Sequence, residues 1–246
     1  MKKLAVLNSF AVLFILSVAL VLFSGPAQAY VYDDFTSNGM NTNLWTNMGP
    51  DFNLFSQPGN GDTYLYFSST TINQKDILRS KNPVSGAFFL AMQYSNFQGN
   101  DSAEVWHSSG VNLYLSDGTN IVNVDEINNN RGNWFQGFST IGGYSSAISS
   151  TVDSGWLGIG YNGIIGTGGR VTLWYDAGAG WQELAAYAPN FNDNLYFYIM
   201  GKTQTGTSLT FQVDQVQLTP VPPSVLLLGT GLLGLGAVGL RRRRRF

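Results

Sequence analysis

The sequence predicts an all-β fold, an antiparallel β-sandwich, for the stretch from Tyr30 to Leu218. Three observations predict it. No segment there sustains a 3.6-residue apolar period. Short runs instead alternate apolar with polar residues, or concentrate aromatic and β-branched ones. Between them stand clusters of Gly, Asn, Asp and Ser, the residues that turns require.

The candidate strands are Val31–Phe35, Thr63–Ser69, Asp76–Arg79, Gly86–Phe97, Ala103–His107, Val111–Ser116, Asn120–Glu126, Trp156–Tyr161, Arg170–Tyr175, Trp181–Ala186, Asn194–Met200 and Leu209–Leu218. Thr63-Tyr64-Leu65-Tyr66-Phe67 and Val111-Asn112-Leu113-Tyr114-Leu115 alternate most clearly. Asp117-Gly118 between two such runs predicts a tight turn with positive φ. Asp176-Ala177-Gly178-Ala179-Gly180 predicts a second hairpin, joining Val171–Tyr175 to Trp181–Leu184. Asn128 to Gly143 is the least regular stretch and reads as a long loop. Nothing divides the middle in two, so one sandwich is expected over 30–218.

The two ends differ from the middle. Met1-Lys2-Lys3 opens the chain, Leu4 to Phe23 is almost wholly apolar, and Gly25-Pro26 breaks it before Ala27-Gln28-Ala29. That is the plan of a secretory signal peptide over 1–29, with Ala27 and Ala29 as the small residues of the cleavage site. The expected partners are the Sec translocon and signal peptidase. Residues 219–246 hold Val221-Pro222-Pro223-Ser224, an apolar run over 225–240, and then Arg241, Arg242, Arg243, Arg244 and Arg245. Sixteen residues at about 1.5 Å each span about 24 Å, a short transmembrane helix against a bilayer core of about 30 Å. Five arginines stay on the cytoplasmic side, which leaves the middle outside.

Between Tyr30 and Leu218 six basic residues face 15 acidic ones, a balance of about −9. Nucleic-acid binding needs a basic face, so it is not expected. With no cysteine, thiolate zinc sites and thiol chemistry are excluded, and the chain holds one histidine, His107. A Ser-His-Asp triad or a multi-histidine metal site would have to rest on it alone.

The order of proline motif, apolar helix and terminal arginines, together with the signal peptide, resembles the PEP-CTERM sorting signal of Gram-negative bacteria. The usual Val-Pro-Glu-Pro core of that family reads Val221-Pro222-Pro223-Ser224 here, a variant without the glutamate. The resemblance implies recognition by an exosortase-type membrane protease. It also implies an inner-membrane-anchored intermediate and delivery to the cell surface or the exopolysaccharide matrix. The alternative is a plain single-pass anchor.

Local patterns in the middle resemble the concanavalin A-like jelly-roll superfamily of lectins and glucanases. Asp33-Asp34-Phe35 with Leu44-Trp45 looks like the first strand of such domains. Gly155–Ile159, Val171–Tyr175 and Trp181–Leu184 look like their late hairpin, and Phe211–Val216 like a last strand pairing beside the first.

Three chemistries follow for testing. Jelly-roll glucanases set their carboxylates at alternate positions of one strand, which share a face. Here the nearest approaches are Asp101…Glu104, with the wrong spacing, and Asp125-Glu126, whose side chains oppose each other. No catalytic residue is assigned, and the chain is not expected to be an enzyme. Sugars stack on exposed aromatic rings, and Trp134 and Trp106 are the candidate glycan platforms, whereas Trp156 and Trp174 are expected in the core. Calcium takes several oxygen ligands, and Asp34 and Asp214 on the first and last strands are candidate ligands for a structural Ca2+. The expected role is non-catalytic association with glycan or exopolysaccharide. The alternatives are a structural surface protein without specific ligand, and a glycoside hydrolase of the glucanase type.

Overall fold

The computed structural model describes residues 30–36, 40–49, 52–56, 63–71, 74–99, 109–129, 131–192, 194–203 and 208–220, with the backbone alone at 52–56 and 63. The expected signal peptide, Val221–Ser224, the apolar run and the arginines lie outside these residues. So do the candidate strand Ala103–His107, with Trp106, and the carboxylates Asp101 and Glu104.

The strands are β1 (Tyr30–Asp33), β2 (Trp45–Asn47), β3 (Phe52–Ser56), β4 (Thr63–Ser69), β5 (Lys75–Ser80), β6 (Ala87–Gly99), β7 (Ser109–Ser116), β8 (Ile121–Asn129), β9 (Gly132–Ser139), β10 (Gly143–Tyr144), β11 (Ile148–Ser150), β12 (Gly155–Asn162), β13 (Val171–Asp176), β14 (Gln182–Tyr187), β15 (Tyr196–Lys202) and β16 (Leu209–Pro220). They form two eight-stranded sheets. Sheet A runs β14-β13-β12-β6-β16-β4-β3, with β1 beside β16. Sheet B runs β10-β9-β8-β7-β15-β5-β2, with β11 beside β9. The last strand pairs antiparallel to the first, with Tyr30 opposite Leu218, as the sequence predicts.

Alternation sorts each strand into an inner and an outer set. Leu65, Phe67, Leu90, Met92, Leu157, Ile159, Leu173 and Phe211 of sheet A meet Leu78, Val111, Leu113, Leu115, Val122, Val124, Phe135, Phe197 and Ile199 of sheet B. Full burial of such a side chain contributes about 1.5–3 kcal/mol. The core therefore needs no disulfide.

Local chemistry explains the turns. Asp117 Oδ1 accepts the amides of Thr119 and Asn120 at 2.8 and 2.6 Å, and Gly118 takes φ 90°. Asp176 Oδ1 accepts the amides of Gly178 and Gly180 at 2.7 and 2.9 Å, closing the β13–β14 hairpin. The opening Asp33…Trp45 pattern also has a physical reason. The Trp45 indole donates to Asp33 Oδ2 at 2.7 Å, and the Phe35 amide to Asp33 Oδ1 at 2.8 Å. One buried carboxylate thus pins β1 to the segment entering β2.

Two expectations are corrected. Asn128 to Gly143 is no long loop: β8 runs on to Asn129 and β9 occupies Gly132–Ser139, paired along its length with β8. Its Asn, Gln and Gly content hid the strand, because these residues are tolerated where both neighbours supply hydrogen bonds. Trp156 and Trp174 are not core. Leu157, Leu173 and Tyr175 take the inner positions, so both tryptophans face outward, half-buried, on sheet A. There Gly158 leaves room for rings: a Cβ at that position would meet Phe89 Cζ and Trp181 Cζ3 at 2.8 Å.

Candidate functional site

The outer face of sheet B collects the polar side chains. With Val111, Leu113 and Leu115 inward on β7, Asn112 and Tyr114 turn outward. On β8 the outward set is Asn123, Asp125, Ile127 and Asn129, and on β9 it is Trp134, Gln136 and Phe138. Register lines them up across the sheet. One row reads Arg79, Tyr198, Tyr114, Asn123, Phe138. The next reads Ile77, Met200, Asn112, Asp125, Gln136. Trp134 stands beside Ile127, flanking the second row. Trp134 therefore belongs to a strand, and its half-buried ring shares the face with the amides.

Small polar groups lie low on this face and rings stand over them. Asn112 and Asp125 are 5% and 7% exposed. The Tyr114 and Tyr198 rings stack in parallel, with centroids 4.3 Å apart. Arg79 lies 5.1 Å from the Tyr196 ring centroid. A planar guanidinium over an aromatic face is held in place by cation–π attraction.

Burial leaves several of these groups unsatisfied. Among the described residues, six buried side-chain polar atoms have no hydrogen-bond partner, and four are on this face: Arg79 Nε, Asp125 Oδ1, Asn129 Nδ2 and Trp134 Nε1. Asp125 keeps one bond, accepting from Asn123 Nδ2 at 2.9 Å. Its carboxyl is pushed up to about 7, first by burial, with the Asn123 amide and the Lys202 charge acting the other way. An unmet buried acceptor costs about 1–3 kcal/mol. Donors and acceptors clustered on one face, beside aromatic rings, suit a ligand that carries hydroxyls and an apolar surface.

Glu126 points the other way, into the sandwich, where Ser150 Oγ donates to it at 2.6 Å. Burial pushes its carboxyl up to about 7, while Ser150 and Tyr94 favour the charged form. Asp125 and Glu126 are thus separated by the sheet, as strand alternation predicts, and cannot flank one bond.

Neither a protein-family model nor a curated protein matches the chain. Solved structures do. One is the exoplasmic/lumenal domain of VIP36 in a Ca2+/Man3GlcNAc-bound form, at TM-score 0.54 and 12% identity, covering 73% of this chain and 84% of that one. The fold is a legume-lectin-like jelly roll. Lectin I-B4 of Griffonia simplicifolia in its metal-free form matches at TM-score 0.53 and 12% identity, over 78% of this chain and 98% of that one. A GH43 protein of Bacillus licheniformis matches at TM-score 0.58 and 12% identity, over 80% of this chain but 40% of its own length. At these identities the likeness shows the jelly roll and nothing finer.

The calcium expectation was put to the same geometry. Asp34 Oδ1 is taken up by Thr36, accepting its amide at 3.2 Å and its hydroxyl at 2.7 Å. Asp214 Oδ1 accepts from Ser95 Oγ at 3.2 Å. Among the described residues no three His, Cys, Asp or Glu side chains gather as a metal group would require. The two aspartates by themselves do not make up a calcium ligand set.

Sequence reasoning named Trp134 on this face and missed Arg79, Asn112, Asp125 and Gln136. Alternation against the apolar positions of β7 and β8 carried that signal. Pairing β9 with β8 did not follow from it.

Proposed function

We propose that this protein is an exported surface or matrix protein whose jelly roll binds glycan without catalysis, through the outer face of sheet B. The observation that carries the reading is the register that sets Asn112, Asn123, Asp125 and Gln136 beside Trp134, Tyr114 and Tyr198 on that face. The fold supports it, since one solved structure of similar fold, the VIP36 domain, is a Man3GlcNAc-bound form. The half-buried rings of Trp134 and Tyr198 would stack on the apolar side of the sugar, and the amide and carboxylate side chains beside them would take its hydroxyls. The glucanase reading lacks a pair of facing carboxylates at Asp125 and Glu126.

The test is retention of the full chain, held in detergent, on immobilised polysaccharides. Trp134→Ala should weaken binding about tenfold or more, since its stacking contact with the sugar is lost. Unchanged retention in that variant, or no retention of the unmutated protein on any polysaccharide, would discard the reading.

Export and sorting belong to the same proposal. The signal peptide leads the chain to the Sec translocon, and the tail holds it in the inner membrane with the arginines inside. An exosortase-type protease acting near Val221–Ser224 would release it to the surface. Deleting residues 221–246 should send the protein to the soluble periplasmic or secreted fraction. An unchanged destination on fractionation counts against the sorting role. A structural Ca2+ at Asp34 and Asp214 would need further oxygen ligands, from backbone carbonyls, amides or water.

A further inference from the structure

The domain is acidic, yet its few cations are concentrated. Lys75, Arg79, Lys81, Arg131, Arg170 and Lys202 are all the basic residues between Tyr30 and Leu218. Three of them, Lys75, Arg79 and Lys202, occupy outward positions of β5 and β15, on the face just described. Lys75 and Lys202 are register partners, and Arg79 pairs with Tyr198 four residues along β5 from Lys75, with Ile77 between them on the same face. Like charges opposite one another on one face are unfavourable for the sheet itself. Among the described residues, the acidic one whose outward register row neighbours theirs is Asp125, three strands across from Ile77 and so one row over from that of Arg79. At about 4.8 Å per strand and about 3.4 Å per residue, Arg79 and Asp125 are roughly 16 Å apart.

From this arrangement we infer that the glycan is an acidic, carboxylate-bearing polysaccharide of the uronate class. The inference rests on the glycan-binding reading and names the class. Each part of the face meets a different part of such a chain. The Arg79 guanidinium, held against the Tyr196 ring and hydrogen-bonded to Tyr198, brings a fixed positive charge with planar donors suited to a carboxylate. Lys75 and Lys202 add positive potential along the same edge. The amides Asn112, Asn123 and Gln136, with Asp125 among them, lie on the other side, and they read hydroxyls. A neutral sugar would bring no counter-charge to Arg79. A uniformly anionic polymer such as polyphosphate would lay negative charge against Asp125. A uronate offers separated carboxylates and free hydroxyls, which is the pattern on this face.

The test compares polygalacturonate with neutral dextran as immobilised ligands for the full chain in detergent. Retention on polygalacturonate should exceed that on dextran. It should fall steeply between low and high salt, because exposed ion pairs are screened over about 10 Å at 0.1 M. Lys75→Gln is an exposed change that leaves the core intact, and it should lower polygalacturonate binding several-fold at low salt. Arg79→Gln should lower it about tenfold or more, and Arg79→Lys should recover only part of that, as a point charge replaces a fork. Circular dichroism of each variant separates loss of binding from loss of fold, and Lys75→Gln stands if Arg79→Gln fails to fold. Binding to dextran that equals or exceeds that to polygalacturonate, with no salt dependence, overturns this inference and leaves the glycan reading standing. Absence of binding to both overturns the two together.

Discussion

Phe67→Ala should destabilise the domain by about 3–5 kcal/mol, the usual cost of emptying an aromatic site in a packed core. Phe67 is fully buried and stacks on Phe211, with centroids 5.0 Å apart. It also rests on the backbone of Gly201, on β15 of the opposite sheet. A Cβ at Gly201 would lie 2.4 Å from the Phe67 ring atoms Cδ2 and Cε2. The two sheets close here because one side offers a ring and the other offers nothing. Gly201→Ala alone should then cost about 1–3 kcal/mol by overpacking. In the double variant the added methyl enters space vacated by the ring, so the combined loss should be smaller than the two single losses added. Urea unfolding of the four proteins yields a coupling energy of about 0.5–3 kcal/mol between contacting sites. Simple additivity would show that this contact does not set the sheet separation.

The second large effect is on stability against pH. Asp125 and Glu126 are adjacent in sequence and lie on opposite faces of β8, and burial pushes both carboxyls up to about 7. In the unfolded chain they titrate near 4. Below about pH 4 both states hold the protons and the groups cost nothing. Between about 4 and 7 the unfolded chain gives them up first, so the folded state loses stability as pH rises. Above about 7 the penalty is complete, on the order of 3–4 kcal/mol for each group. Lys202 beside Asp125, and Ser150 and Tyr94 beside Glu126, limit it, whereas Asp153 adds to it for Glu126. The protein should unfold at lower urea at pH 8 than at pH 5. Glu126→Gln, which keeps a hydrogen-bonding side chain toward Ser150 and Tyr94, should remove about half of that slope, and adding Asp125→Asn most of the remainder. A stability that is level or rises over this interval would mean that both carboxylates are solvated as ordinary surface groups.

Both effects arise at positions where neighbouring strands meet. That also explains what could be read in advance. The strand at Thr63–Ser69 was legible to the residue, since Leu65 and Phe67 alternate with Tyr64, Tyr66 and Ser68. The hairpins at Asp117-Gly118 and Asp176–Gly180 were legible because an aspartate and a positive-φ glycine close them locally. β9 was not, because Asn133, Gln136 and Gly137 carry no strand signal of their own and are held by β8 on one side and β11 on the other. Trp156 and Trp174 were misplaced for a related reason. A tryptophan on a strand indicates burial, but the parity set by Leu157 and Leu173 decides which face it takes.

Local patterns in the chain were enough for an all-β sandwich, its main turns and the opposition of Asp125 to Glu126, whereas the pairing of last strand with first was implied only by the family resemblance. The first three follow from local periodicity and from turn chemistry, which act within a few residues. Tertiary structure alone decided that Arg79, Asn112, Asp125, Trp134 and Tyr198 share one face. They come from five strands spread over more than a hundred residues, and only register brings them into neighbouring rows. No local rule reaches that far, because strand order is chosen by how two whole sheets bury their apolar sides against each other.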